Sequence, residues 1–167
     1  MDEQAKKTSL RMIPYGLYVL TAEAKDGSVA AATVNWVTQA SFQPPLVAVG
    51  VKADSGSHAI IEQTGTFVLN VLGKDQGKAA YAFFKPAVKE GNTISGEPFR
   101  VGKTGAPILE NAPAYVECRV VEAVKKGDHT LFVAEVVEAG LKAPVEGRPD
   151  DVTLAMRDLG EKVFYGG

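Results

Sequence analysis

The run Thr33–Val51, TVNWVTQASFQPPLVAVGV, constrains this chain more than any other segment. Two stretches rich in branched and aromatic residues flank a polar corner and the Pro44-Pro45 pair. Such side chains favour a pleated, half-buried surface, and proline cannot donate to a central ladder. The segment is therefore read as strand, corner, strand. Ser55-Gly56-Ser57-His58 follows, a hydroxyl-rich start to a short helical pattern over Ser57–Thr64. A strand wall beside a helix start frames a flat ring and an anionic tail, because the first N–H groups of a helix lack intrahelical acceptors.

The remaining pattern is mostly strands. Pro14–Ala24 and Ser28–Trp36 read as a hairpin about Asp26-Gly27. Leu46–Ala53 and Thr66–Leu72 read as further strands, and Ala114–Lys125 and Thr130–Leu141 as two long ones joined by the turn Lys126–His129. Asp75–Lys85 reads as a second helix, with Asp75 as its N-cap and Lys85-Pro86 at its end. Residues 87–113 are dense in glycine and proline and read as a long loop. A weak helical stretch at Asp151–Arg157 and a short strand at Lys162–Tyr165 complete the chain. Six or seven strands in hairpin order with few short helices predict a mainly β antiparallel barrel, one domain over residues 1–167, and not a doubly wound sheet.

Composition narrows the function classes. With 167 residues and 46% apolar content the chain can bury one core. The net charge of −2 and the lack of a Lys/Arg run argue against nucleic acid and anionic membrane as partners. Cys118 is the only cysteine, so an internal disulfide and a cysteine metal cluster are excluded. It alternates with Val116 and Val120, which points it into a core. No stretch reaches the roughly 18 apolar residues of a spanning helix, and MDEQAKKTSL lacks a signal segment, so a reducing cytoplasm is the expected compartment. His58 and His129 are the only histidines and lack metal-ligand spacing, so no metal is expected. Gly96–Thr104, GEPFRVGKT, imitates a P-loop but puts Glu97 where its first glycine belongs. Neither G-x-G-x-x-G nor G-x-S-x-G occurs.

Each remaining candidate has two readings. Ser55, Ser57 and His58 form the best anion site, or else a serine simply caps the helix. Lys85 is either a cation for the same phosphate or a solvated charge at a helix end. Trp36, beside Asn35, Thr38 and Gln39, either packs against a ligand ring or fills the core. His129 is either an exposed turn residue or a group that orients nicotinamide at a cofactor mouth. Taken together, the order of these features points to a bound flavin nucleotide.

Five segments in order carry a resemblance over nearly the whole chain, Pro14 to Gly166. They are YGLYVLTA, TVNWVTQASFQPPLVAVGV, SHAIIEQTGTFVLNVL, GAPILENAPAYVECRV and GDHTLFVAEV. In these the chain resembles the flavin reductase-like FMN-binding split-barrel proteins, which include reductase components of two-component monooxygenases, flavoredoxins and the reductase module of diflavin flavoproteins. The resemblance implies a Greek-key-type split barrel, a homodimer, and FMN (or FAD) near the interface, with NAD(P)H as electron donor and a monooxygenase or redox protein as acceptor. It implies that Thr33, Val34, Asn35, Trp36, Val37, Thr38 and Gln39 line the flavin and that Val49, Gly50 and Val51 approach it. Ser55, Ser57, His58 and Lys85 would hold the phosphate, His129 would stand by the nicotinamide, and Phe164 and Tyr165 would cover the site. A flavoredoxin-like electron carrier and a non-catalytic flavin-binding barrel are the alternatives.

Overall fold

The computed structural model describes residues Met1–Gly167. The polar helix α1, Glu3–Arg11, comes first; Asp2 caps it by accepting from the Ala5 N–H at 2.6 Å. The antiparallel hairpin β1, Tyr18–Glu23, and β2, Val29–Val34, follows. Next come β3, Val37–Ser41, and β4, Leu46–Lys52. Helix α2, Gly56–Thr64, leads into β5, Thr66–Val71, and then the short helix α3, Gly77–Ala82. Four short strands follow: β6, Lys89–Glu90; β7, Thr93–Ile94; β8, Glu97–Val101; and β9, Pro107–Leu109. Two long strands, β10, Ala114–Lys125, and β11, His129–Leu141, complete the main sheet.

That sheet has seven antiparallel strands in the order β2-β1-β5-β10-β11-β4-β3. Its two edge strands, β2 and β3, are consecutive in sequence and linked only by Asn35 and Trp36. Two residues cannot span an open seven-stranded sheet, whose neighbouring strands lie about 4.8 Å apart. The sheet is therefore rolled until its edges approach, but no ladder joins them. Helix α2 packs against β1, β2 and β4, strands from both ends of the sheet, and so sits across the gap.

Alternation along the strands builds two cores. Leu20, Val49, Ile61, Phe67, Cys118 and Phe132 fill the inside of the roll. Val19 and Ala31 face outward and pack with Phe83, Ile94, Leu154 and Met156. Thus β1 and β5 are buried on both faces. Buried Asn70 ties the outer layer on: its amide donates to the Val19 carbonyl at 2.9 Å, and its oxygen accepts from the Leu109 N–H at 2.8 Å.

Several expectations are corrected. Residues 87–113 hold a second, four-stranded sheet, β6-β7-β8-β9, and are not an irregular loop. The polar corner after Trp36 is itself a strand, β3, whose side chains are mostly exposed because it lies at an edge. Helix α3 starts at Gly77 after Gln76, so Asp75 is not its N-cap. Pro149–Val152 and Met156–Leu159 are single 3-10 turns. Lys162–Tyr165 is not a strand; it lies back over the molecule as irregular chain.

Candidate functional site

The corner that joins the two sheet edges also builds a wall. The Trp36 carbonyl accepts from the Gly50 N–H at 2.9 Å, pinning the corner to β4. The indole lies flat on Gly50, where a Cβ would come within 3.1 Å of the ring. Any side chain at 50 would push the indole away. Asn35 is buried, and its amide donates to the Tyr165 carbonyl at 3.2 Å. Thr33 is tied to α3: its hydroxyl donates to the Ala80 carbonyl at 2.7 Å and its N–H to the Phe83 carbonyl at 3.1 Å.

Beside this corner lies a cavity of about 260 Å³. Its polar lining includes Lys52 at the end of β4 and Ser55 and Ser57 at the start of α2. Ser55 is the N-cap: its Oγ accepts from the His58 N–H at 3.1 Å and donates to the Lys52 carbonyl at 2.8 Å. Helix geometry leaves the Gly56 and Ser57 N–H groups without intrahelical acceptors. Lys52 pairs with Asp54 at 3.1 Å, and this hydrogen bond and charge raise its ammonium above the usual lysine range. This lining combines a helix N-terminus with a lysine whose charge is shared with Asp54, a donor set suited to a phosphate. The apolar lining comes from Leu17, Val34, Phe83, Phe84 and Met156.

His129 opens β11 and pairs in register with Lys52, so both project from the same face into this cavity. Its Nδ1 bonds Asp128 at 2.8 Å and its Nε2 bonds the Tyr165 hydroxyl at 2.7 Å. The hydrogen bond from His129, and then its charge, hold the exposed Asp128 carboxyl below its ordinary range. The His129 and Tyr165 rings lie 4.5 and 5.4 Å from Trp36. The Trp36 Nε1 is buried and has no acceptor.

The cavity gathers Thr33, Val34, Asn35, Gly50, Val51, Ser55, Ser57, His129 and Tyr165 from the sequence-based set, with Trp36 behind its mouth. Other members lie elsewhere. Val49 is in the inner core, and Val37 packs against it. Thr38 and Gln39 are exposed on β3. His58 turns to Thr130, its Nε2 at 2.8 Å from the hydroxyl, and packs on Phe132. Lys85 is exposed and outside the lining, while its neighbours Phe83 and Phe84 are within it. Phe164 faces an adjoining hollow of about 480 Å³, under the Arg11 guanidinium at 4.3 Å. Lys52 is the main residue that sequence reasoning missed. As the only cation just before the serine cluster, it carried a usable signal. Nothing local marks Leu17 or Met156, which arrive by tertiary folding.

Comparison with known proteins places this geometry. Residues 10–158 match the model of the flavin reductase like domain. The chain is 38% identical over 124 residues to the reductase component of a 4-nitrophenol 4-monooxygenase/4-nitrocatechol 2-monooxygenase of Rhodococcus opacus, covering 74% of this chain and 64% of that protein. It is 35% identical over 140 residues to the NADH-dependent flavin reductase StyB of Pseudomonas fluorescens, covering 84% and 79%. The solved structure of the styrene monooxygenase flavin reductase of Pseudomonas putida S12 superposes with a TM-score of 0.72 at 32% identity, over 86% of this chain and 89% of that one. With the family match over most of its length and a shared fold, the chain belongs to the flavin reductase like domain family.

Proposed function

We propose that this chain is an NAD(P)H-dependent flavin reductase that holds FMN at the cavity beside the Asn35-Trp36 corner and supplies reduced flavin to a monooxygenase or another redox protein. One observation carries the reading: a single cavity is lined both by Lys52 and the start of α2, donors suited to a phosphate, and by apolar side chains, beside a buried indole donor that has no acceptor. Two of the similar proteins named above are reductase components or flavin reductases of oxygenase systems, which supports the acceptor class.

When bound, the flavin supplies the redox chemistry, taking a hydride from nicotinamide and passing the electrons on. The protein's own part is placement. Lys52 and the Gly56 and Ser57 N–H groups hold the phosphate. Asn35 and the Trp36 N–H meet the polar ring edge. His129, held through Nδ1 by Asp128, orients the donor at the mouth. Positioning of this kind accounts for large rate effects without an obligatory acid or base. We read the rolled sheet as a split barrel closed covalently by its Asn35-Trp36 corner. We further propose a homodimer: Val124 and Leu131 are cross-strand partners whose apolar side chains stay exposed on the outer sheet face. A reducing compartment suits a chain with one buried thiol.

The visible spectrum of the purified protein with FMN, followed by stopped-flow bleaching with NADH and NADPH, tests the reading. Rapid bleaching is the expected result; a protein that neither takes up flavin nor speeds its reduction sinks it. His129→Ala is expected to slow hydride transfer about 10²-fold, within the usual range for a lost positioning group, with FMN still bound. The crowding of Trp36, His129 and Tyr165 at the mouth favours a second reading, an electron carrier that takes its electrons from a protein. Bound flavin that nicotinamide bleaches only slowly would select it.

A further inference from the structure

We propose that the segment Val163–Gly166 is a self-ligand: Tyr165 occupies the place of the flavin ring and swings out when flavin binds. This rests on the flavin reading above. Each polar contact of Tyr165 is with a group of the candidate site. Its carbonyl accepts from Asn35, its hydroxyl bonds His129, and its ring packs against Trp36 and His129. These are the contacts that an aromatic ring with a polar edge would make.

The fit of this occupant is incomplete. Gly166 covers the Trp36 indole, where a Cβ would lie 3.3 Å from Nε1, yet no atom accepts from that buried N–H. A buried donor without a partner is unfavourable, and a ligand with an acceptor at this point would relieve it. Space leads to the same conclusion. The cavity, at about 260 Å³, falls below the roughly 300 Å³ at which small-molecule sites begin. Tyr165 and Met156 line both it and the adjoining 480 Å³ hollow, so the phenol is one of the two side chains that separate them. Its departure would open that side of the wall and enlarge the space for a nucleotide.

The hold on the segment is also of a reversible kind. It has no ladder hydrogen bonds of its own. Arg11 stacks on Phe164 and donates to the Gly166 carbonyl at 3.2 Å, from within the adjoining hollow. Gly160 before it and Gly166 at its end, at φ +124° and +116°, have backbone that only glycine adopts readily.

Competition between segment and flavin weakens apparent affinity by the fraction of open molecules, so a segment closed nine times in ten costs about tenfold. FMN titration of the wild type, Tyr165→Ala and Arg11→Ala is the test. Tyr165→Ala is expected to bind FMN about tenfold tighter and Arg11→Ala about threefold tighter. Tyr165→Phe keeps the ring, loses the His129 bond, and should fall between wild type and Tyr165→Ala. Hydrogen exchange at residues 163–166 should speed up when FMN is added, the reverse of ordinary ligand protection. Weaker FMN binding by Tyr165→Ala would make Tyr165 a wall of the site and overturn the proposal, as would unchanged affinity in all three variants or slower exchange with FMN. Absence of FMN binding in the wild type and in every variant would overturn the flavin reading itself.

Discussion

Two loops in this molecule are built to receive an anion, and only one remains open. The GKT turn, Gly102–Thr104, wraps the buried carboxylate of Glu117. The Lys103 N–H donates at 3.1 Å, and the Thr104 N–H and hydroxyl donate at 2.8 and 2.7 Å. A Cβ at Gly102 would strike that carboxylate at 2.5 Å. The start of α2 has related chemistry, a hydroxyl and backbone N–H groups with Lys52 beside them, but it faces a cavity. The comparison separates structure from function: an anion nest filled by the chain's own side chain fastens the fold, while one left facing a cavity is a binding site.

Substitutions can break the comparison in order of size. Glu117→Ala leaves the three half-buried donors without their acceptor and is expected to cost about 2 kcal/mol of stability in urea unfolding, while FMN affinity in the folded protein stays within about twofold. A comparable loss of FMN binding would mean that the two nests are coupled. Lys52→Met should do the opposite, weakening FMN about tenfold (about 1.4 kcal/mol) with stability changed by less than ~0.5 kcal/mol, since an exposed ion pair contributes little. Lys85→Ala is the control, expected to shift FMN affinity less than about twofold because the side chain lies outside the cavity. A tenfold effect there would restore the sequence-based choice of cation. Ser55→Ala removes an N-cap and should cost about 1 kcal/mol in thermal or urea unfolding.

The smallest effect concerns Cys118, next to Glu117 on β10. Burial first, and then the Glu117 charge, push its thiol up to about 12 from the ordinary 9.0. Between those values an unfolded chain has lost a proton that the folded chain keeps, so stability falls as pH rises through that window. At neutral pH a thiol reagent should label Cys118 only as fast as the protein unfolds. Fast labelling would show that the inner core admits solvent.

Much of the fold was legible because its strands alternate cleanly. Ala114–Lys125 was placed to the residue, and Thr130–Leu141 to within one, since long half-buried strands impose a period of two. The small outer sheet was illegible because its strands have two to five residues, too few for a period, and turn through Gly91 and Gly96 at positive φ. Strand β3 was hidden by its exposed polar edge. In the candidate site, the Asn35-Trp36 corner, the serine cluster and His129 were readable from residue type and spacing. Tyr165 was placed there by resemblance, as a cover. Its bonds to Asn35 and His129 join residues 130 and 36 positions apart, and no local pattern encodes such separation.

The seam of the rolled sheet has a mechanical consequence. Its edges are stitched by two residues of chain, bridged by α2, and fastened to β4 through the bond from the Gly50 N–H to the Trp36 carbonyl. The indole beside the pocket rides on that same stitch. Any widening of the gap between β2 and β3 would therefore strain the Gly50 bond and turn the tryptophan together.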